Sequence, residues 1–429
     1  MDRRAAQSRL RGRNPADERR QAIRQHHAGL PGAALNFPTR LRAPLLGLAL
    51  TWLAGCSTTT IAPVDTPPLP PDMPRAPTTP GQALPPPQTE AEAKAMVARL
   101  IPATAKDRAG WASDLHAVFV KLGFPQAPEI YCAAIAVIEQ ESSWQTDPVV
   151  PGLPAIVWKE LEQRGARYSV PLLLIKAAML KTSPDGRSYG QRIDALKTEK
   201  QLNGLFQDMI NELPFGKELF ADYNPVRTGG PMQVSIAFAE DYVRDKPYPW
   251  PLKTTVRDEV FTRRGGLYFG SAILLDYPAP YDNVLYRFAD FNAGRYSSRN
   301  AAFQAALGRL TGKSLALDGD LLRYAKGRAV EEASSVELAA RSLGNRLQMK
   351  PGDIRRDLLL EKSAEFGQSP LFRRIFTLAE QSTGQPVPRQ AMPQIDLKSP
   401  KITRQLTTDW FARRVEGRYR TCLTRANAS

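Results

Sequence analysis

Cysteine and histidine are scarce in this 429-residue chain, with three of each. His26 and His27 fall in the N-terminal segment, so His116 is the one histidine beyond it. Cys56, Cys132 and Cys422 are far apart, and no CxxC pair occurs. A zinc site needs about four such ligands at short spacings, so no metal centre is expected. Nucleophilic chemistry built on Ser-His or Cys-His is poorly supported for the same reason. His116 reads as a surface or helix-face residue. No cofactor is expected either. Gly308 to Ser314 reads GRLTGKS, with three residues between its glycines where a phosphate-binding loop needs four. It also follows a helical pattern, not a strand. No dense Lys/Arg run is interleaved with aromatics, so nucleic acid is not an expected partner. Formal net charge is +15, but +7 of it lies in residues 1–56. By charge alone the modest remainder suits an anionic polymer such as nucleic acid or cell wall.

Long apolar runs are also lacking. The run from Ala43 to Gly55 falls short of the roughly 20 residues that span a bilayer. It follows Arg40 and Arg42, and a charged flank before a short apolar stretch reads as a secretory signal. The run ends in Leu53-Ala54-Gly55-Cys56, which resembles the lipobox of bacterial lipoproteins. That resemblance implies cleavage before Cys56 and lipidation of its thiol. Ser57 follows rather than the aspartate common in inner-membrane lipoproteins, so the resemblance implies the outer membrane, with the body facing the periplasm. Once Cys56 is lipidated, Cys132 and Cys422 are the cysteines left. In the oxidising periplasm they are expected to form a disulfide.

Residues 1–56 are thus read as an N-terminal extension plus signal. Residues 57–90 hold eleven prolines among Thr and Ser. That composition favours extended chain and reads as a tether. From Glu90 onward apolar residues recur at i, i+3 and i+4, and strictly alternating runs are scarce, so the fold class is mainly α. The pattern predicts helices over 90–101, 108–122, 128–144, 153–164, 171–181, 197–212, 234–244, 255–276, 282–290 and 299–311. Further helices are predicted near 335–346, 352–362, 369–382 and 403–418. A first domain over 91–314, with a helical insertion at about 153–213, would be followed by a helical region, 315–429, of unknown role.

Three short elements stand in order. They are Glu141-Ser142-Ser143-Trp144 with Pro148 close behind, Gly230-Pro231-Met232-Gln233-Val234, and Phe291-Asn292-Ala293-Gly294. Their order and residue types resemble the lytic transglycosylases of the lysozyme-like superfamily, over roughly residues 128–311. The chain as a whole also resembles a family of proteobacterial lipoproteins of unknown function. The first resemblance implies a lysozyme-like helical domain acting on peptidoglycan glycan strands, between N-acetylmuramic acid and N-acetylglucosamine. By that resemblance a lone Glu, here Glu141, protonates the leaving oxygen. It then acts as base while the muramyl 6-hydroxyl closes a 1,6-anhydro ring. Ser142 would orient the Glu or its substrate, Met232 and Gln233 would line the cleft, and Asn292 would meet an N-acetyl group. Gly230 and Gly294 would permit close backbone approach. Trp144 is the best placed residue to stack on a sugar ring, ahead of Trp250, Tyr242 and Tyr296. Pro231 and Phe291 depart from the family's Leu and Tyr, and the step of 89 positions from Glu141 to Gly230 requires the insertion.

Helix geometry gives Glu141 an independent reading. Ile130, Ala134, Val137 and Ile138 precede it by 11, 7, 4 and 3 residues and share its face. A carboxylate on an apolar face near a helix C-terminus is expected to hold its proton more tightly than usual, as a general acid requires. The bland alternative is a structural ion pair with an arginine such as Arg287 or Arg295. Glu139, two residues away, is expected to point the opposite way, to solvent. Two other functions remain open at this stage: a non-catalytic peptidoglycan-binding or scaffold lipoprotein, and a hydrolase of lysozyme type.

Overall fold

The computed structural model describes residues 89–325, 327–397 and 406–427. Cys56, the apolar run before it and the proline-rich stretch up to residue 88 lie outside them. The described residues belong to one compact unit, Gln82–Ser429, and are mainly helical. Short antiparallel pairs of two-residue strands are the sheet structure among them.

Local chemistry sets the first helices. Helix α1 (Glu90–Leu100) starts on a capping box. The Thr89 hydroxyl accepts from the Glu92 amide, and the Glu92 carboxylate accepts from the Thr89 amide. Helix α2 (Arg108–Leu122) is capped by Asp107 and ended by Gly123 in the left-handed conformation. Helix α3 (Pro128–Glu141) opens on a proline, whose missing amide costs nothing at a first turn. From Tyr131 to Ile138 every residue of α3 is buried, so it is apolar on all sides and runs through the core.

The segment after α3 holds α4 (Leu153–Arg167), α5 (Leu172–Ala178), α6 (Tyr189–Asp194), α7 (Glu199–Asn211) and α8 (Gly216–Phe220). Strands β1 (Thr228–Gly229) and β2 (Val234–Ser235) then form a tight hairpin, followed by α9 (Ile236–Asp245). Next come α10 (Val256–Val260), α11 (Arg263–Leu275), α12 (Val284–Ala293) and α13 (Ser297–Thr311). The predicted helix 255–276 is two helices. Thr262 accepts from the Gly265 amide and starts α11 afresh.

Two apolar cores result. The first gathers α1, α2, α3, the hairpin and α11 with much of α12. The second is built from α13 with α14 (Ser335–Ser342), α16 (Pro351–Leu358) and α17 (Pro370–Thr383), and α15 (Gly344–Leu347) lies between α14 and α16. Strands β3 (Tyr324–Ala325) and β4 (Arg328–Ala329) pair in the link from α13 to α14, and β5 (Asp396–Leu397) pairs with β6 (Leu406–Thr407) after α17. The chain then returns to the first core through α18 (Thr408–Asn427), which lies against α3, α12 and α1. Cys422 on α18 is disulfide-bonded to Cys132 on α3, with their Cα atoms 5.5 Å apart.

Candidate active site

Glu141 is the last residue of α3 and is half-buried. Ser142 caps the helix from within, its hydroxyl donating to the Ile138 carbonyl at 2.9 Å. The next two residues, Ser143 and Trp144, both take positive φ, 49° and 67°. Two consecutive left-handed residues without glycine cost about 1–2 kcal/mol each. They turn the chain back so sharply that Trp144 buries its ring edge-on against Trp111, centroids 5.3 Å apart. Its indole nitrogen has no hydrogen-bond partner there. Trp144, predicted to stack on a sugar, is therefore a packed wall and not an open platform. Of the three weaker aromatic candidates, Tyr296 is buried on Tyr277, while Tyr242 on Tyr268 and Trp250 on Tyr248 are half-buried.

The second motif is the tip of the β1–β2 hairpin. Gly230 (φ 72°) and Gln233 (φ 48°) make the turn, closed by the Gln233 amide on the Gly230 carbonyl. The tip presses onto a glycine face of α11. A Cβ on Gly266 would come 2.4 Å from Pro231 Cδ, and one on Gly270 would come 2.4 Å from Met232 Sδ. Met232 is fully buried, so it supports the motif from below; its predicted place on the cleft surface is corrected by that packing. Gln233 is half-buried, and its carbonyl oxygen accepts from the Thr228 hydroxyl at 3.1 Å.

Gly230 has both a left-handed φ and no room for a side chain, since a Cβ would sit 2.1 Å from the Val260 carbonyl oxygen. Gly230→Ala is expected to destabilise by about 2–4 kcal/mol, adding left-handed strain to overpacking against backbone. Thermal unfolding checks this. A midpoint equal to wild type would mean that the turn relaxes freely.

The third motif closes α12. Asn292 is half-buried, and its side-chain oxygen accepts from the Thr408 hydroxyl at 2.8 Å, at the first residue of α18. Gly294 (φ 111°) and Tyr296 (φ 68°) turn the chain into α13. This turn is pinned by Asp290, a residue the motif reading passed over. Its buried carboxylate accepts from the Tyr281 and Tyr277 hydroxyls at 2.7 and 3.2 Å and from the amides of Tyr296 and Ser298 at 2.8 and 2.7 Å. Burial pushes the Asp290 carboxyl upward, and the donors oppose that push. Asp147, near the end of the first turn, was also passed over. It accepts from Thr198 at 2.8 Å, and burial raises its carboxyl above the usual range. Thr198 is 51 residues from Asp147, so no local pattern marks that acid; the Asp290 partners lie 6 to 13 residues away, brought in by the turns on either side of α12.

Arg287 and Arg295, the predicted structural partners for Glu141, bind backbone. Arg295 donates to the carbonyls of Ala272 and Ile273, and Arg287 to those of Leu274 and Tyr277. Glu139 does not face solvent as predicted. It turns toward α18, where Arg418 and Arg425 lie 3.8 and 3.9 Å away. The helix that covers it is nearly three hundred residues distant in sequence, which is why local geometry misplaced it. His116 is buried, on a helix face, with its ring beside the Gln126 side chain at 3.1 Å.

Among the described residues, four of the eight non-glycine residues with positive φ thus fall in or next to the three motifs: Ser143, Trp144, Gln233 and Tyr296. All three elements border the first core, the hairpin on α11, the end of α12 on α18, and both helices against or beside α3. Two surface concavities stand out among the described residues, and neither is lined by Glu141.

No solved structure matches this chain. A protein of Escherichia coli strain K12, described as Uncharacterized protein YaiW, is 50% identical over 328 residues, covering 76% of this chain and 88% of that one. The family described as Protein of unknown function (DUF1615) matches residues 104–425, which take in all three motifs and Cys422, and the chain belongs to that family.

Proposed function

We propose that this protein is an outer-membrane lipoprotein, anchored through Cys56, that cleaves peptidoglycan glycan strands with Glu141 as a single acid and base. The observation that carries the reading is backbone strain gathered at the three motifs. Left-handed residues cost energy and persist where the surrounding fold over-determines them, and they cluster at functional sites. Here the strain follows Glu141 directly, shapes the Gln233 tip and ends the Asn292 turn. Glu141 also closes α3 at the first of these turns, half-buried, where an acid can be positioned beside a leaving oxygen. With one carboxylate the substrate's own N-acetyl and 6-hydroxyl groups complete the reaction, in contrast to two-carboxylate glycosidases. The experiment is digestion of purified sacculi by protein lacking its lipid, with the soluble fragments identified by mass. Anhydro-ended muropeptides support the proposal, and reducing ends would assign a hydrolase of lysozyme type instead.

A scaffold that binds peptidoglycan without cutting it is the second reading. It is favoured by the closed state of the site: Trp144 is packed on Trp111, and Asn292 is held by Thr408. Sacculus binding with no soluble fragments would select it.

Anchoring is tested separately. After a high-salt wash, which strips peripheral contacts, wild type should stay with the membranes and Cys56→Ala should be released. Equal fractionation of the two would remove Cys56 as the anchor.

A further inference from the structure

The insertion between the first two motifs carries an unusual surface. Of the fifteen large hydrophobic side chains exposed among the described residues, ten lie within 168–223. Helix α5 buries none of its residues. Around it Tyr168 is 81% exposed, Leu173 77% and Leu180 72%, with Leu174 at 60%. Phe215, 76% exposed, and Phe220 lie beyond α7. The two stretches meet along one groove. Ala178 and Met179 from the α5 side line a single apolar groove of about 280 Å³ with Leu213 and Phe220 from the other. Scattered exposed leucines need no explanation, but ten exposed large apolar side chains concentrated in one segment mark an interface.

Charge indicates the partner. From residue 163 to 181 the sequence holds Arg164, Arg167, Lys176 and Lys181 and no acid, although Arg164 pairs with Glu160; the acids Glu212, Glu218 and Asp222 lie on the Phe215 and Phe220 side, so the cationic part of the surface is the α5 stretch. Lys176 is exposed, and its ammonium lies 5.5 Å from the Trp158 ring centroid, beside the leucines. Lys181 is also exposed, although it pairs with Glu212. Leucines and tyrosine flanked by long cationic side chains, on and beside a short helix that buries none of its residues, fit the boundary between acyl chains and anionic headgroups. A protein partner matched to the same leucines would not require a stretch cleared of acids.

We propose that the α5 surface, with the adjoining Phe215 and Phe220, docks on an anionic phospholipid bilayer. It lies in the interface without crossing it, and it needs neither Cys56 nor the glycan chemistry. It would hold the α4–α8 side of the body against lipid and fix which way the rest of the body faces.

The test uses residues 82–429, which contain both apolar cores and no lipidation site. The protein is mixed with vesicles of phosphatidylglycerol and phosphatidylethanolamine, or of phosphatidylcholine alone, and sedimented. Wild type should partition onto the anionic vesicles at least about tenfold better than onto the neutral ones, and raised salt should weaken it. Replacing Leu173, Leu174 and Leu180 together by Ser should reduce partition at least about tenfold, since each removes exposed apolar contact. Those three are solvent-exposed, so thermal unfolding should be unchanged. Lys176→Glu is the second variant and should also weaken binding. The proposal is overturned if wild type ignores anionic vesicles, binds both kinds equally, or binds no better than the triple variant. A concentration-dependent dimer that the triple variant abolishes, without vesicle binding, would assign the surface to a second copy of the chain instead.

Discussion

Glu141→Gln should lower release of soluble muropeptides from sacculi at least about a hundredfold, the lower range for losing acid–base catalysis. Glutamine keeps the size and hydrogen-bonding reach of the side chain and removes the transferable proton. The fold should survive, because Glu141 is half-buried at a helix end and α3 is held by its apolar length from Tyr131 to Ile138. Glu139→Gln is the control. The two acids lie two residues apart on one helix, and Glu139 is turned to Arg418 and Arg425 on α18. Those separations are long for ion pairs and all three side chains are partly exposed, so the pair is worth about 1 kcal/mol or less. The control should keep the rate within a few-fold and lose a little stability. Release from Glu141→Gln equal to wild type would sink the assignment of Glu141. Release from neither wild type nor variant, with sacculus binding intact, would select the scaffold.

Helix positions were largely legible because they rest on local signals. Capping by Thr89, Asp107 and Thr198 and the prolines at the starts of α3 and α17 can be read within a few residues. Helices α6 and α8 were not predicted, being six and five residues long with too few turns for a period to show. The split of 255–276 at Thr262 was missed for a different reason: apolar residues continue on both sides of the break, and only the cap betrays it.

The site was legible as sequence but not as contacts. Gly230 and Gly294 do take positive φ, which glycine at a turn implies. Met232 was misplaced because its burial depends on Gly270, a residue chosen for lacking a side chain and thus silent in any hydrophobic pattern. Glu139 was misplaced because its cover, α18, arrives from the far end of the chain. Asn292 is held by Thr408 across 116 residues, and nothing near either residue announces it.

The far end of the chain is therefore part of the site's frame, and the bridge from Cys132 to Cys422 is what fastens it. Their separation of 290 residues makes the closed loop very long. Closing such a loop in the unfolded chain is worth up to about 5 kcal/mol on the chain-entropy account, and losing a native bridge commonly costs about 2–5 kcal/mol. Cys132 and Cys422 are both fully buried, so the bond sits inside the α3–α18 contact and not on its rim. Replacing both cysteines by Ala should lower the unfolding midpoint of protein made in an oxidising compartment. A reductant should lower the wild-type midpoint and leave the double variant unmoved. Glycan cleavage should fall in the variant well below the unfolding midpoint, because a loosened α18 releases Thr408 from Asn292. If the native oxidised protein alkylates at both thiols, or if reductant moves variant and wild type alike, the bridge is not what holds α18 in place. The Thr408, Arg418 and apolar contacts would then carry it alone.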